Sequence, residues 1–295
     1  MFKLRVPATS ANLGSGFDSI GVALSLYNYV TFEESDRVLV ECDDDVPKDE
    51  HNLIIDSAKR AYAQAGRPFY GLHIIQENYV PLQRGLGSSS TCISAGVAIA
   101  SALMGDVFSL HDKVTLAAMI EGHPDNVAPA TLGGYVAAVL DHGEVYYQRK
   151  ELDHDRIAFV AVVPDFRVCT EEARAALPKQ LLLADAVYNL SRSSLLTAAF
   201  LTENYGLLRI AAKDRLHQQH RLKLVAGGEE IMRTMLDCGA YSATVSGAGP
   251  TLLATVPGGS GGNGIYEGIL AHVQQHYPNY EVIRLQADNA GLVVI

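Results

Sequence analysis

The sequence predicts an α+β fold, and three observations carry that reading. Short strand-like segments come in pairs, helical blocks do not alternate with them regularly, and 295 residues suffice for one large domain or two ordinary ones. The candidate strands, in order, are FKLRV, YVTFEE, VLVEC, GLHIIQ, GYVAAVL, EVYYQ, IAFVAVV, SATVSG, LLATV, EVIRL and GLVVI. Each is rich in β-branched or aromatic residues and bounded by Gly, Pro, Asn or Asp. Helical spacing predicts helices over residues 52–65, 89–103, 113–120, 183–202, 205–218, 229–236 and 266–276. The charged run RKELDHDR, around residues 151–156, separates two apolar strands and marks a domain boundary. PGGSGGNG, residues 257–264, reads as a flexible surface connector. No internal repeat is present.

Composition narrows the partners. The formal net charge is −10, from 33 acidic against 23 basic side chains. Nucleic acid and anionic membranes are therefore not expected, because phosphate backbones select for clustered Lys and Arg. Small anions stay open, since one or two arginines can capture them. Cys42, Cys92, Cys169 and Cys238 are scattered without a CxxC pair, which fits reduced thiols and no zinc or disulfide framework. MFKLRVPATS has no apolar signal-peptide core, and the longest apolar stretch, residues 93–104, is too short for a bilayer. A cytoplasmic protein is expected.

Four stretches carry chemistry. In VPLQRGLGSSST, Gly85 and Gly87 permit left-handed backbone and close ligand approach, while Ser88 and Ser89 suit a helix start. The helix that follows is apolar on every side, so it should be buried and aim a fixed dipole at an anion in the glycine turn. The spacing is neither GxxxxGK[ST] nor GxGxxG, which removes the P-loop and the dinucleotide fingerprint. PATSANLGSGFDSIG follows the first strand as an Asx-rich loop that leaves Asp18 without a local task. In IEGHPDNVAPATLGG, Glu121, His123, Asp125 and Asn126 crowd into a turn running on to a strand, which suits a polar ligand or Mg²⁺. A transition-metal pair from Glu121 and His123 is not expected, since i,i+2 in a Gly-Pro turn is not a usual ligand spacing. VSGAGPTLLATV is a second glycine turn, where backbone can approach a ligand or the first glycine loop. His217 and His220 read as surface residues.

Together these stretches resemble the GHMP kinase superfamily, whose P-x-x-x-G-L-G-S-S motif is met by Pro81, Gly85, Leu86, Gly87, Ser88 and Ser89. PATSANLGSGFD and HPDNVAPATLGG resemble the homoserine kinases in particular, and the likeness spans essentially the full chain. It implies a ribosomal-protein-S5-domain-2-like N-terminal domain (1–153) and a ferredoxin-like C-terminal domain (154–295), with ATP and substrate between them. The implied reaction is ATP-dependent phosphorylation of the L-homoserine hydroxyl in threonine biosynthesis, with Mg²⁺ as cofactor and a homodimer as the assembly. Pro81, Arg84, Gly85, Leu86, Gly87, Ser88, Ser89 and Ser90 would wrap the ATP phosphates, and Ser89 with Glu121 would hold Mg²⁺. Ser89, Glu121 and Asn126 form the implied catalytic set. Asn12, Asp18, His123, Thr170, Arg174, Arg221 and Gly247 would contact the amino acid. Archaeal members carry the acidic residue several positions further ahead of the histidine than EGHPDN does.

Charge logic agrees with that assignment. Asp18 suits an ammonium, Arg174 and Arg221 suit a carboxylate through bidentate geometry, and the hydroxyl must face the γ-phosphate. Mevalonate kinases place an aspartate base where Asp125 or Asn126 stands, whereas the homoserine kinase likeness implies no strong base. Two rivals stand beside this reading: a kinase for a mevalonate-like substrate, and a non-catalytic sensor of the same fold.

Overall fold

The computed structural model describes the backbone of all 295 residues and every side chain but that of Thr170, an expected substrate ligand whose side chain lies outside the described residues. Among the described residues the strands form two sheets, of seven and four. The first begins with β1 (Phe2–Ala11), β2 (Ile20–Glu34) and β3 (Val38–Glu41). Helix α1 (Leu53–Gln64) leads to β4 (Leu72–Asn78), then α2 (Ser88–Leu103), α3 (Leu110–Glu121) and α4 (Val127–Leu132) follow. The hairpin β5 (Tyr135–Asp141) and β6 (Glu144–Lys150) closes this half.

β1 and β2 pair antiparallel along their length, with a register shift between Pro7 and Ala8, where proline offers no ladder donor. On its other side β2 serves two partners: Asn28–Glu34 pairs with β4, and Ile20–Val22 pairs with β5. Asn28, Val30 and Phe32 are buried at a period of two, so α1 and α2 cover one face of this sheet. As the apolar surround predicts, α2 is buried almost throughout, packed among α1, α3 and α4.

The second sheet runs β10–β7–β9–β8. It is built from β7 (Ala158–Val163), β8 (Ser242–Val245), β9 (Leu252–Val256) and β10 (Glu281–Leu285). β7 is apolar at every position because both its faces are covered. Phe159, Ala161 and Val163 meet α6 (Leu183–Leu201), while Ala158, Val160 and Val162 meet α9 (Gly228–Asp237) and α10 (Asn263–His276). The first of these layers also takes Ala8 and Leu24 from β1 and β2, so one core joins the two sheets. The last strand, β11 (Val293–Val294), returns to pair with β1, across the boundary we propose near 153/154. No helix among the described residues is long and apolar enough to cross a membrane.

All eleven candidate strands form, but several helical expectations need correction. The block over 205–218 is broken into a 3-10 turn (Tyr205–Leu207), α7 (Leu208–Ala211) and, past a bend, α8 (Gln218–Arg221). Asp214 causes the break: its Oδ2 accepts from the amides of His217 and Gln218, at 2.8 Å each, and starts a new helix there. The turn after Pro124 leads into α4 before the strand, because Pro129 sits in the first helical turn, where its missing N–H costs nothing. CTEEAR forms α5 (Thr170–Ala175). PGGSGGNG is no plain connector: Gly259–Gly262 make a 3-10 turn that feeds α10 at Asn263, and Gly258 packs against the backbone of residues 154–156.

Candidate active site

Gly87, at φ 71°, is the left-handed N-cap of α2 and makes no side-chain cap. The first-turn amides of Ser88, Ser89 and Ser90 therefore have no intrahelical acceptor, and these residues line a cleft, a placement that suits an anion. Two neighbours fix the loop. A Cβ on Gly87 would lie 1.9 Å from Thr9 Oγ1, and one on Gly85 2.4 Å from the Ser246 carbonyl. Thr9 N donates to the Leu86 carbonyl at 3.0 Å, and Ser246 Oγ donates to the Gly85 carbonyl at 2.6 Å. The second glycine turn thus packs on the first, one of the two possibilities its sequence left open. Asn28 sets the approach: its Oδ1 accepts from the amides of Tyr79 and Val80, and its Nδ2 donates to Thr91 Oγ1, each at 2.9 Å.

The loop opens on a cleft of about 350 Å³. Of the expected phosphate-loop residues, Arg84, Gly85, Gly87, Ser88, Ser89 and Ser90 line it, and Pro81 and Leu86 do not. The Leu86 side chain is fully buried in the core shared by the two sheets, so its share in the loop is backbone only. Arg84 is also committed elsewhere, its guanidinium donating to the carbonyls of Pro164 and Asp165.

Glu121 ends α3 beside the start of α2. Its carboxylate accepts from Ser89 Oγ at 3.3 Å and Ser90 Oγ at 3.1 Å. Burial raises its pKa, with His123 pulling the other way. His123 Nδ1 lies 2.5 Å from Asp125 Oδ1, and Asp125 is 2% exposed. Burial works against a charge on His123, but the Asp125 hydrogen bond and charge outweigh it and raise the pKa. Thr9 Oγ1 donates to Asn126 Oδ1 at 2.8 Å, which leaves the Asn126 amide hydrogens for a ligand oxygen.

The other end of the cleft draws side chains from both halves of the chain. Asn12 and Asp18 hold left-handed backbone, at φ 71° and 55°. Asn12 Nδ2 donates to the Gly247 carbonyl at 3.0 Å, and its Oδ1 accepts from the Asp18 amide at 3.0 Å. Arg174, on α5, reaches the two Asp18 oxygens with both terminal nitrogens at 3.3 Å. Arg221, on α8, is 3% exposed and donates to the Gly247 carbonyl at 2.7 Å. Asn12, Asp18, His123, Arg174, Arg221 and Gly247 all line the one cleft. Sequence reading missed its far wall, which includes Val46, Pro47, Asn52, Leu53 and Gln76. It also missed Thr9 and Asn28, whose hydrogen bonds reach residues far along the chain. His217 is not a surface residue: its ring is buried, with Nε2 2.7 Å from the Gly14 carbonyl.

A helix N-terminus in a glycine turn, facing a cleft with paired carboxylate and arginine groups, suits a small anionic ligand. The description "GHMP kinases N terminal domain" matches residues 52–134. Homoserine kinase from Clostridium botulinum is 40% identical over 299 residues, covering 100% of this chain and 99% of its own. Homoserine kinase from Clostridium beijerinckii is 41% identical over 299 residues, with the same coverage. Among solved structures, homoserine kinase from Cytophaga hutchinsonii superposes with a TM-score of 0.88 at 27% identity, over 100% of this chain and 97% of that one. Methanococcus jannaschii mevalonate kinase shares the fold, with a TM-score of 0.72 at 13% identity over 97% and 98% of the two chains. The chain belongs to the homoserine kinase family of the GHMP kinases.

Proposed function

We infer that this protein transfers the γ-phosphoryl group of ATP to the side-chain hydroxyl of L-homoserine, giving O-phospho-L-homoserine and ADP. The observation that carries the reading is one cleft in which the uncapped start of α2 faces Asp18, Arg174 and Arg221. Phosphoryl transfer asks mainly for alignment and charge neutralisation, and this set of groups supplies both. The first-turn amides of α2 would bind phosphate oxygens. Asp18 would meet the ammonium, and Arg174 and Arg221 the carboxylate. Asp18 and Arg174 neutralise each other, so an amino acid binding between them would exchange one ion pair for two.

Ser89, Ser90 and Glu121 offer hydroxyl and carboxylate oxygens only, a donor set that fits Mg²⁺. Bound there, Mg²⁺ would offset charge on the transferring phosphates. Asp18, His123 and Asp125 also lie close enough to share an ion. Their carboxylates are already paired, however, with Arg174 and with His123. The same pairing argues against Asp125 as a base. The homoserine oxygen would bond to the γ-phosphorus as its bond to the bridging oxygen breaks, with the hydroxyl proton passing to the transferred phosphoryl group. Asn126 Nδ2 is the donor available to orient that oxygen. Family likeness supports two further proposals, a cytoplasmic location and a homodimer; light scattering of the purified protein tests the second.

The direct test is a panel of L-homoserine, mevalonate, galactose and L-serine with ATP and Mg²⁺, followed by coupled ADP release. Homoserine should be the preferred acceptor by a wide margin. A preference for mevalonate would move the chain to the rival kinase reading, and no turnover of any acceptor would favour a sensor.

A further inference from the structure

The charged group that meets the substrate carboxylate is itself held by an unusual neighbour. His217 lies on the bend before α8, four residues ahead of Arg221, and is 0% exposed. Its Nε2 is 2.7 Å from the Gly14 carbonyl, which can only accept. Its Nδ1 is 3.3 Å from Arg221 Nη1, which can only donate. A single protonation state satisfies both partners: the neutral ring with its proton on Nε2 and its lone pair facing the arginine. Burial lowers the imidazole pKa in the same sense; the Asp214 carboxylate opposes this and the Arg221 charge adds to it.

The guanidinium is held from a second side by Phe17. That ring stacks on His217 with centroids 5.1 Å apart and lies 5.2 Å from Arg221 Cζ. Nη1 spends its two hydrogens on His217 and on the Gly247 carbonyl, 2.7 Å away. Nε is buried and has no partner among the described residues. On the edge formed by Nε and Nη2, Nη2 is therefore the reachable donor left for a carboxylate. A carboxylate in place of His217 would also orient the guanidinium, but it would cancel the charge the substrate needs. A neutral acceptor orients without cancelling. The backbone of His217 is fixed separately, by Asp214, so the imidazole is free for this task.

We infer that His217 is a positioning residue for Arg221, fixing through its Nδ1 lone pair the guanidinium edge presented to the substrate carboxylate. The inference rests on the homoserine reading of the cleft. Two variants separate the ring's two hydrogen bonds. Asparagine can place an oxygen near the Nδ1 position, and glutamine can place an amide N–H near Nε2. His217→Gln should raise the homoserine KM by roughly tenfold, at the low end of what losing an outer partner of a functional group costs, with the ATP KM unchanged. His217→Asn should stay within about threefold of wild type for both substrates.

The reverse order, equal losses in the two variants, or an ATP KM rising in step with that for homoserine would overturn the assignment. In an Arg221→Lys background His217→Gln should add less than about twofold, because the contact it removes is already gone. A full tenfold effect there would also overturn it. Wild-type turnover of homoserine, measured alongside, distinguishes failure of this inference from failure of the activity reading itself. ATP affinity by calorimetry reports whether each variant is folded.

Discussion

The two ends of the cleft are built by different means. The phosphate end is mostly backbone: two left-handed glycines and the first turn of α2, all within residues 85–90. The amino-acid end is mostly side chains, from Asn12, Asp18, His123, Arg174 and Arg221, spread over more than two hundred residues of chain. Backbone amides recognise an anion wherever a helix begins and carry little information about the rest of the ligand. Side-chain charges brought together from separate elements carry the specificity. On the proposed reading, one end would bind the phosphates and the other would select the acceptor.

Breaking the phosphate end should have the largest effect. At Gly87 any Cβ meets Thr9 Oγ1, and left-handed backbone alone costs a non-glycine residue roughly 1–2 kcal/mol. Gly87→Val should therefore abolish measurable ATP binding, because the steric contact with Thr9 adds to that backbone cost and displaces the loop. Calorimetric titration with ATP checks this, and unchanged affinity would remove the phosphate-loop reading. Thr9 must also shift, so a modest loss of melting temperature should accompany the binding defect.

Breaking the amino-acid end should spare the nucleotide. Arg221→Ala should raise the homoserine KM by about a hundredfold and Arg174→Ala by about tenfold, from roughly 1.5–3 kcal/mol for a charge-assisted contact. The order follows burial, since the Arg174 side chain is 42% exposed and Arg221 is enclosed. Steady-state kinetics with each substrate varied in turn should show the ATP KM nearly constant. Equal shifts for both substrates would mean that the two ends are not independent.

The smallest effect is expected at Arg84, although it lies within the glycine loop. Its guanidinium is bonded to the carbonyls of Pro164 and Asp165, between the two halves of the chain. Arg84→Gln should lower the melting temperature while changing the ATP KM by less than about threefold, because no phosphate contact is lost. A tenfold rise in the ATP KM would show that the side chain turns to the nucleotide.

The same contrast explains what could be read from sequence. The glycine loop was legible because its function depends on neighbours in the chain, and the strands were legible because alternation and β-branching are local. Asp18, Arg174 and Arg221 could be paired with a substrate only through the family likeness, since no spacing links residues so far apart. His217 was misread for a related reason. A histidine in HQQHRLKL carries no local sign of burial; the fold encloses it, because Asp214 breaks the helix ahead of it and Gly14 and Phe17 close over the ring. Leu86 shows the converse limit, since a motif can include a residue whose side chain is buried in the core.

Asp18→Asn tests most directly whether side-chain charge at the amino-acid end selects the acceptor. The change keeps shape, turns one acceptor oxygen facing Arg174 into an amide donor, and removes the charge that would meet the substrate ammonium. The measurement is kcat/KM for L-homoserine and for 4-hydroxybutyrate, which lacks only the amino group, in wild type and variant. Homoserine should lose about tenfold or more, as expected when a charge-assisted contact is removed at a partly exposed carboxylate, and ATP binding should persist. The hydroxy acid should be a poor substrate for wild type and lose much less on mutation. If both substrates fall by the same factor, Asp18 does not read the ammonium, and the assignment of the acceptor loses its chemical basis.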